Sequence, residues 1–190
     1  MNLIIFGPPG AGKGTQADFI VNKYNLYKLS TGEVLRNEIK NKTELGKEIS
    51  SIINSGSLVS DDIVKKLVEN FISDKKYKDR LIFDGYPRNL NQAKNLDNLL
   101  KKYKQKIDIV FKLSVSLETI KKRILERKKL ENRDDDNEDI AIKRYKMYEK
   151  NIKPVIDFYE QSNLLKVVNG EASISEISNE ISGLIEGIKG

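Results

Sequence analysis

The chain has 190 residues, of which 33% are charged and 38% hydrophobic, and a formal net charge of +6, which suits one globular domain. It contains no cysteine and no histidine, so disulfides, Cys or His metal ligands, thiol nucleophiles and Ser-His-Asp triads are excluded. No apolar run approaches the roughly 18 residues that span a bilayer, and the first residues lack the features of a signal peptide. We therefore expect a cytoplasmic protein.

Short apolar segments alternate with longer amphipathic stretches, which predicts an α/β fold with a parallel sheet and helices on both faces. The predicted strands are 2–6, 27–29, 81–84, 108–113 and 164–168. The last helix follows a capping box of Ser173 and Glu176, and its apolar residues fall on one face: Ile174, Ile177, Ile181, Leu184, Ile185 and Ile188.

Two segments interrupt this alternation. Residues 30–59 form a helical excursion punctuated by glycine, and residues 127–137 are almost entirely polar. We interpret both as flaps on a single core that consists of residues 1–29, 60–126 and 138–190.

The strongest motif is GPPGAGKGT at residues 7–15, which follows the first strand and precedes a helical run that starts at Lys13. A strand, a glycine loop and a helix form a phosphate-binding loop, in which backbone N–H groups surround a phosphate and the lysine reaches its oxygens. A glycine turn without function would leave the lysine unexplained. The usual hydroxyl residue after the lysine is Gly14 here, and Thr15 comes one position later, so Mg²⁺ ligation by this hydroxyl is left open.

Arginine is scarce, since the 34 basic residues divide into 27 lysines and 7 arginines. Lysine does not replace arginine where a planar, bidentate grip on a carboxylate or phosphate is required. In so lysine-rich a chain, each arginine therefore indicates a candidate anion contact.

The glycine loop, STGEVLR at 30–36, GSLVSD at 56–61, FDGYPRNLNQA at 83–93 and the later arginines together resemble the adenylate kinase family. The likeness covers essentially the whole chain, in order and spacing. It implies a P-loop nucleoside monophosphate kinase fold with a five-stranded parallel sheet, an AMP-binding flap at 30–59 and a short lid at 127–137, as in the short-lid bacterial type. It also implies reversible phosphoryl transfer from MgATP to AMP, giving two ADP, by a monomer.

The resemblance also assigns site residues. ATP binding falls to Gly10, Ala11, Gly12, Lys13, Gly14, Thr15, Arg127 and the backbone near Ala172. AMP binding falls to Thr31, Arg36, Ser57, Leu58, Val59, Gly85, Tyr86, Pro87, Arg88, Gln92, Arg133 and Arg144. The charges around the migrating phosphoryl group would be Lys13, Arg88, Arg123, Arg127, Arg133 and Arg144. Only Arg80 among the arginines receives no role.

The implied metal is Mg²⁺, which arrives with ATP and which Asp84 would reach through water. Some long-lid members of the family hold zinc with four cysteines, and this chain has none, so no zinc is implied. The acidic run 134–136 would latch or position the arginines of the lid.

Two positions bear on the acceptor nucleotide. Relatives that phosphorylate UMP or CMP typically carry Ala in place of Thr31 and Asn in place of Gln92, so both residues favour AMP. The plain alternatives are that Thr31 caps a helix and that Gln92 lies on a solvated helix face.

Two rival functions stay open. Another nucleoside monophosphate kinase, for UMP or CMP or with GTP as donor, would share nearly every motif. A basic P-loop ATPase that binds nucleic acid would account for the positive charge and for KKYKQK at 101–106. That stretch has no arginine and one aromatic residue, so we expect ATP, AMP and ADP as partners, and neither nucleic acid nor a membrane.

Overall fold

A computed structural model describes the backbone of residues 1–131 and 138–188 and the side chains of residues 1–126 and 139–188. Within these ranges the sheet has five parallel strands in the order β2-β3-β1-β4-β5. They are β1 (Leu3–Phe6), β2 (Tyr27–Ser30), β3 (Leu81–Asp84), β4 (Ile109–Ser114) and β5 (Leu165–Asn169). The predicted strands are confirmed, each within one residue at either end.

Helices connect the strands. They are α1 (Lys13–Tyr24), α2 (Thr31–Lys40), α3 (Glu44–Asn54), α4 (Asp61–Ser73), α5 (Leu90–Lys102), α6 (Leu117–Glu131), α7 (Glu138–Glu160) and α8 (Ile174–Gly187), with a 3₁₀ turn at Lys75–Tyr77. No helix in the described part of the chain is long and apolar enough to cross a membrane.

The structure describes all of the first predicted flap and only part of the second. Helices α2 and α3 occupy most of residues 30–59, as the helical pattern predicts. The first five residues of the predicted lid, 127–131, continue helix α6, and residues 132–137 lie outside the described residues. The division into core, flap and lid stays a prediction.

The strands alternate their side chains between two apolar layers, as the pleat of a strand requires. Ile4 and Phe83 face the layer that packs under α4, α5 and α7, whereas Leu3, Ile5 and Ile82 face α1 and α8. All five are fully buried. Because both faces are covered, the ligand-accessible part of the sheet is the edge at the carboxyl ends of the strands.

Helix α8 begins with the predicted capping box, in which Ser173 accepts from the Glu176 N–H and the Glu176 carboxylate accepts from the Ser173 N–H. Ile177, Ile181 and Ile185 are buried on the face of α8 that packs on the sheet. The predicted apolar face is buried in its middle but not at its two ends, where Ile174 and Ile188 are 64% and 43% exposed. Ile174 lies on the first turn, where it borders the cavity described below instead of the core.

Helices α2 and α3 approach each other at Gly46, where an added methyl group would collide with the backbone carbonyl of Glu38. We expect Gly46→Ala to lower the free energy of unfolding in urea by about 1–3 kcal/mol, the usual scale for overpacking. Gly183→Ala in α8 is the matched control, because nothing lies within 4 Å of its added methyl. Alanine should raise stability there by about 0.5–1 kcal/mol through its helix propensity. A Gly46→Ala protein at least as stable as the unmodified protein would contradict the close approach of α2 and α3.

Candidate active site

A cavity of about 680 Å³ opens at the carboxyl edge of the sheet, between the loop after β1, helix α2, the end of β3, and helices α6 and α7. Every predicted site residue with a described side chain lines it: Gly10, Ala11, Gly12, Lys13, Gly14, Thr15, Thr31, Arg36, Ser57, Leu58, Val59, Asp84, Gly85, Tyr86, Pro87, Arg88, Gln92, Arg123, Arg144 and Ala172. Arg127 lies in α6, but its side chain is outside the described part, and Arg133 lies outside the described residues.

The geometry of the loop after β1 is compatible with the binding of an anion. Gly12 has φ 92°, a left-handed conformation that glycine adopts without strain, and it directly precedes α1. The first turn of α1 carries no acidic residue, so the positive end of the helix dipole stays available. The Lys13 ammonium folds back over the loop and donates to the carbonyl oxygens of Gly7 at 2.8 Å and Pro8 at 2.9 Å.

Arginines gather on the opposite wall of the cavity. Arg88 Nε donates to the Gly85 carbonyl at 2.6 Å. A methyl group on Gly32 would lie 3.4 Å from Arg36 Nη1 and 3.5 Å from Arg88 Nη2, so the two guanidinium groups border the same point. Burial is the largest cause that lowers the pKa of Arg88, and the positive charges of Arg144 and Arg36 lower it further. The negative charge of Asp84 raises it, and the resulting pKa is about 10. Such crowding of like charges favours the binding of an anion.

Arg123 reaches the cavity from α6 and joins two loops. Its Nη1 donates to the Ala11 carbonyl at 3.3 Å and its Nη2 to the Gly170 carbonyl at 3.0 Å. The second loop, which also carries Ala172, is held by Glu171, a residue that sequence reasoning missed. Hydrogen bonds from Thr119 and Ser116 lower the pKa of the exposed Glu171 carboxyl to about 2.

Thr31 and Gln92 line the same wall of the cavity as Arg36 and Arg88. The structure contradicts both alternatives for them, that Thr31 caps a helix and that Gln92 lies on a solvated helix face. Ser30, not Thr31, caps α2 by accepting from the Glu33 N–H, while Thr31 Oγ1 donates to the Gly85 carbonyl at 3.3 Å. Gln92 is 2% exposed and therefore not on a solvated face. Its side chain belongs to a polar network that includes Asp61, another residue that the sequence did not single out.

Arg80 has a structural task, although none was predicted for it. Its Nε and Nη2 donate to the Asn25 carbonyl at 3.0 and 2.7 Å, and its guanidinium stacks 4.8 Å over the Tyr27 ring. It does not line the cavity. The paired hydrogen bonds of a guanidinium group to one backbone carbonyl thus explain an arginine in this chain that is not a candidate anion contact.

The residues that face the cavity suit a hydrated Mg²⁺. Asp84 ends β3 with 8% exposure, and the exposed Thr15 faces the same space. Among the described residues no three His, Cys, Asp or Glu side chains come together as a metal cage. A magnesium ion that keeps most of its waters and is held chiefly by phosphates needs only one or two protein oxygens.

The sequence is similar to known adenylate kinases. The family model described as adenylate kinase matches residues 5–164. An adenylate kinase from Pelagibacter ubique (strain HTCC1062) is 42% identical, with 98% of this chain and all of the relative covered. Adenylate kinases from Porphyromonas gingivalis (strain ATCC 33277) and Methanothrix thermoacetophila are 39% and 35% identical, and the alignments cover 98% and 97% of this chain and 96% and 98% of the relatives.

Arg88→Met tests whether repulsion among Arg36, Arg88 and Arg144 destabilises the ligand-free protein. We expect a rise in Tm of about 2–4 °C for the ligand-free protein, because a partly buried cation beside two others is removed. Inorganic tripolyphosphate should raise the Tm of the unmodified protein, because a ligand that binds the folded state stabilises it. It should raise the Tm of the variant less, because one cation of the site is missing. Circular dichroism melting curves give both quantities.

Arg80→Met is the matched control for this change. It removes the two hydrogen bonds to Asn25 outside the cavity, so its Tm should fall while its response to tripolyphosphate stays normal. If the two variants shifted Tm in the same direction, the electrostatic interpretation of Arg88 would be wrong.

Proposed function

The chain belongs to the adenylate kinase family, and we propose that it reversibly transfers the terminal phosphoryl group of MgATP to AMP, giving two ADP. The observation that supports this most directly is the shared cavity. A glycine loop with Lys13 forms one wall and Arg88, Arg36 and Gln92 form the other, so two nucleotides can meet with their phosphates between them.

The donor nucleotide would bind with its phosphates on the N–H groups of residues 10–15. Lys13 would leave the carbonyl oxygens of Gly7 and Pro8 and turn to the phosphate oxygens, which are stronger partners because they carry charge. Its adenine would lie near Ala172 and Ile174, which line the cavity on the side of the loop. Arg123 already touches both loops and would come close to the same phosphates.

The acceptor nucleotide would bind between α2 and the start of α5. Arg36 and Arg88 would hold its phosphate, and Arg144 would face the phosphoryl group in transfer. Thr31, the segment 57–59 and Gln92 would surround its base. Closure of residues 30–59 over this site, which we also propose, would keep water from accepting the phosphoryl group.

Catalysis in this arrangement is positioning and charge stabilisation, which agrees with a chain that has no histidine. Lys13, Arg88, Arg123 and Arg144 line the cavity from four parts of the chain, and we propose that Arg127 and Arg133 complete the set. Bound with ATP, Mg²⁺ would neutralise phosphate charge, and Asp84 would orient it through water. We further propose that the enzyme acts as a monomer in the cytoplasm.

The ion pairs of the lysine-rich stretch count against the rival function of a nucleic-acid-binding ATPase. Three of the four lysines in residues 101–106 face carboxylates: Lys101 Nζ lies 2.7 Å from Asp97, Lys102 Nζ 2.8 Å from Glu69 and Lys106 Nζ 3.8 Å from Asp108. A stretch with its own counter-charges attracts a phosphate backbone weakly.

Lys13→Met tests the phosphate-binding loop. Turnover of ATP and AMP should fall about a hundredfold or more, the scale for the loss of one preorganised charge-stabilising donor. Lys23→Met, at the exposed end of the same helix, is the control and should keep normal turnover. Coupled measurement of ADP formation, with circular dichroism to verify folding, decides between them. A folded Lys13→Met protein with near-normal turnover would refute the assignment.

Nucleotide preference tests the acceptor site. A site that hydrogen-bonds one base edge leaves polar groups unpaired with another base, at roughly 1–3 kcal/mol each. The unmodified protein should therefore use AMP at least about a hundredfold more efficiently than UMP or CMP, as kcat/KM. Gln92→Leu should raise the KM for AMP and leave the KM for ATP nearly unchanged. Equal use of UMP, or a weakened ATP site in the variant, would reverse the assignment.

A further inference from the structure

Asp61 links two segments of the proposed acceptor site, the start of α4 and the start of α5. It is the first residue of α4, two positions after Val59, and its carboxylate faces the beginning of α5. It accepts hydrogen bonds from the side-chain amides of Gln92 at 2.7 Å, Asn91 at 2.8 Å and Asn89 at 3.1 Å. Asn89 in turn caps α5 by accepting from the Gln92 N–H at 2.8 Å.

The network determines which way the Gln92 carboxamide points. An ionised carboxylate only accepts hydrogen bonds, so the NH₂ group of Gln92 has to face Asp61. On the other side, Gln92 Oε1 accepts from the backbone N–H of Arg88 at 2.7 Å. A rotated carboxamide would set oxygen against carboxylate and NH₂ against N–H, two repulsive contacts in a buried place.

Asp61 is suited to a permanent acceptor role. Burial alone would raise its pKa, but the hydrogen bonds from Asn91, Gln92 and Asn89 outweigh burial and lower it. The carboxyl therefore stays ionised at neutral pH and has no proton to donate. One N–H and one lone pair of the Gln92 carboxamide then remain, in fixed positions, for a ligand in the cavity.

We propose that Asp61 is a positioning residue that locks the Gln92 carboxamide and thereby makes the acceptor site select a 6-aminopurine over a 6-oxopurine nucleotide. The inference rests on the proposed function, with AMP on the Gln92 side. Adenine offers a donor at N6 and an acceptor at N1, whereas hypoxanthine offers an acceptor at O6 and a donor at N1. The two edges are of opposite polarity, so they require opposite orientations of one carboxamide.

The test compares AMP with IMP, which differs from AMP only at this edge. Unmodified protein, Asp61→Ala, Asp61→Asn and Asp62→Ala are assayed for nucleoside diphosphate formation with each acceptor. Asp62→Ala is the matched control, because Asp62 is an exposed neighbour in the same first turn and its loss changes the charge equally. Asp61→Ala should raise the KM for AMP and lower the AMP-over-IMP preference, each about tenfold, at an unchanged KM for ATP.

Asp61→Asn separates orientation from mere packing and replaces Asp61→Ala if that variant does not fold. Its amide offers Gln92 either an acceptor or a donor, so the KM for AMP should stay within about threefold while the AMP-over-IMP preference falls severalfold. The inference is overturned if this preference is unchanged in the folded Asp61 variants, or if Asp62→Ala loses it equally. Failure of the unmodified protein to convert ATP and AMP into ADP would instead refute the proposed function.

Discussion

The parallel pairing of β1 with β3 and β4 is the constraint on which the rest of the molecule depends. It places the carboxyl ends of these strands at one edge, so the glycine loop after β1 and Asp84 at the end of β3 face one space. The neighbouring strand β2 ends at the same edge and delivers Thr31. Two apolar layers cover the faces of the sheet and leave this edge as the place where polar side chains converge.

Three cations at this edge, Lys13, Arg88 and Arg123, donate to backbone carbonyl oxygens. Lys13 donates to Gly7 and Pro8, and Arg88 to Gly85. Arg123 likewise uses two carbonyl oxygens. A carbonyl satisfies the geometry of an N–H donor without cancelling its charge, whereas a carboxylate partner would neutralise it. Like charges remain crowded around Arg88, and Arg144 and Arg36 contribute to the lowering of its pKa.

Two polar networks join the segments around the cavity. Glu171 anchors the loop that carries Ala172 to the start of α6, and Asp61 joins the start of α4 to the start of α5. Both carboxylates accept hydrogen bonds near helix N-termini, where the helix dipole favours negative charge. They hold in register segments that lie far apart in sequence.

The sequence by itself determined the strands and the glycine loop, because these depend on local pattern and on a motif whose residues are adjacent in the chain. About half of the residues that line the cavity were assigned by the resemblance to a known family. It did not reveal the task of Arg80, whose partner Asn25 lies 55 residues away, or that of Asp61, 31 residues from Gln92. Nor did it show that Ser30, one position before Thr31, caps α2. Such roles belong to hydrogen bonds between segments that meet only in the folded chain. The sequence specifies which groups are present, and only the tertiary structure decides which donor faces which acceptor.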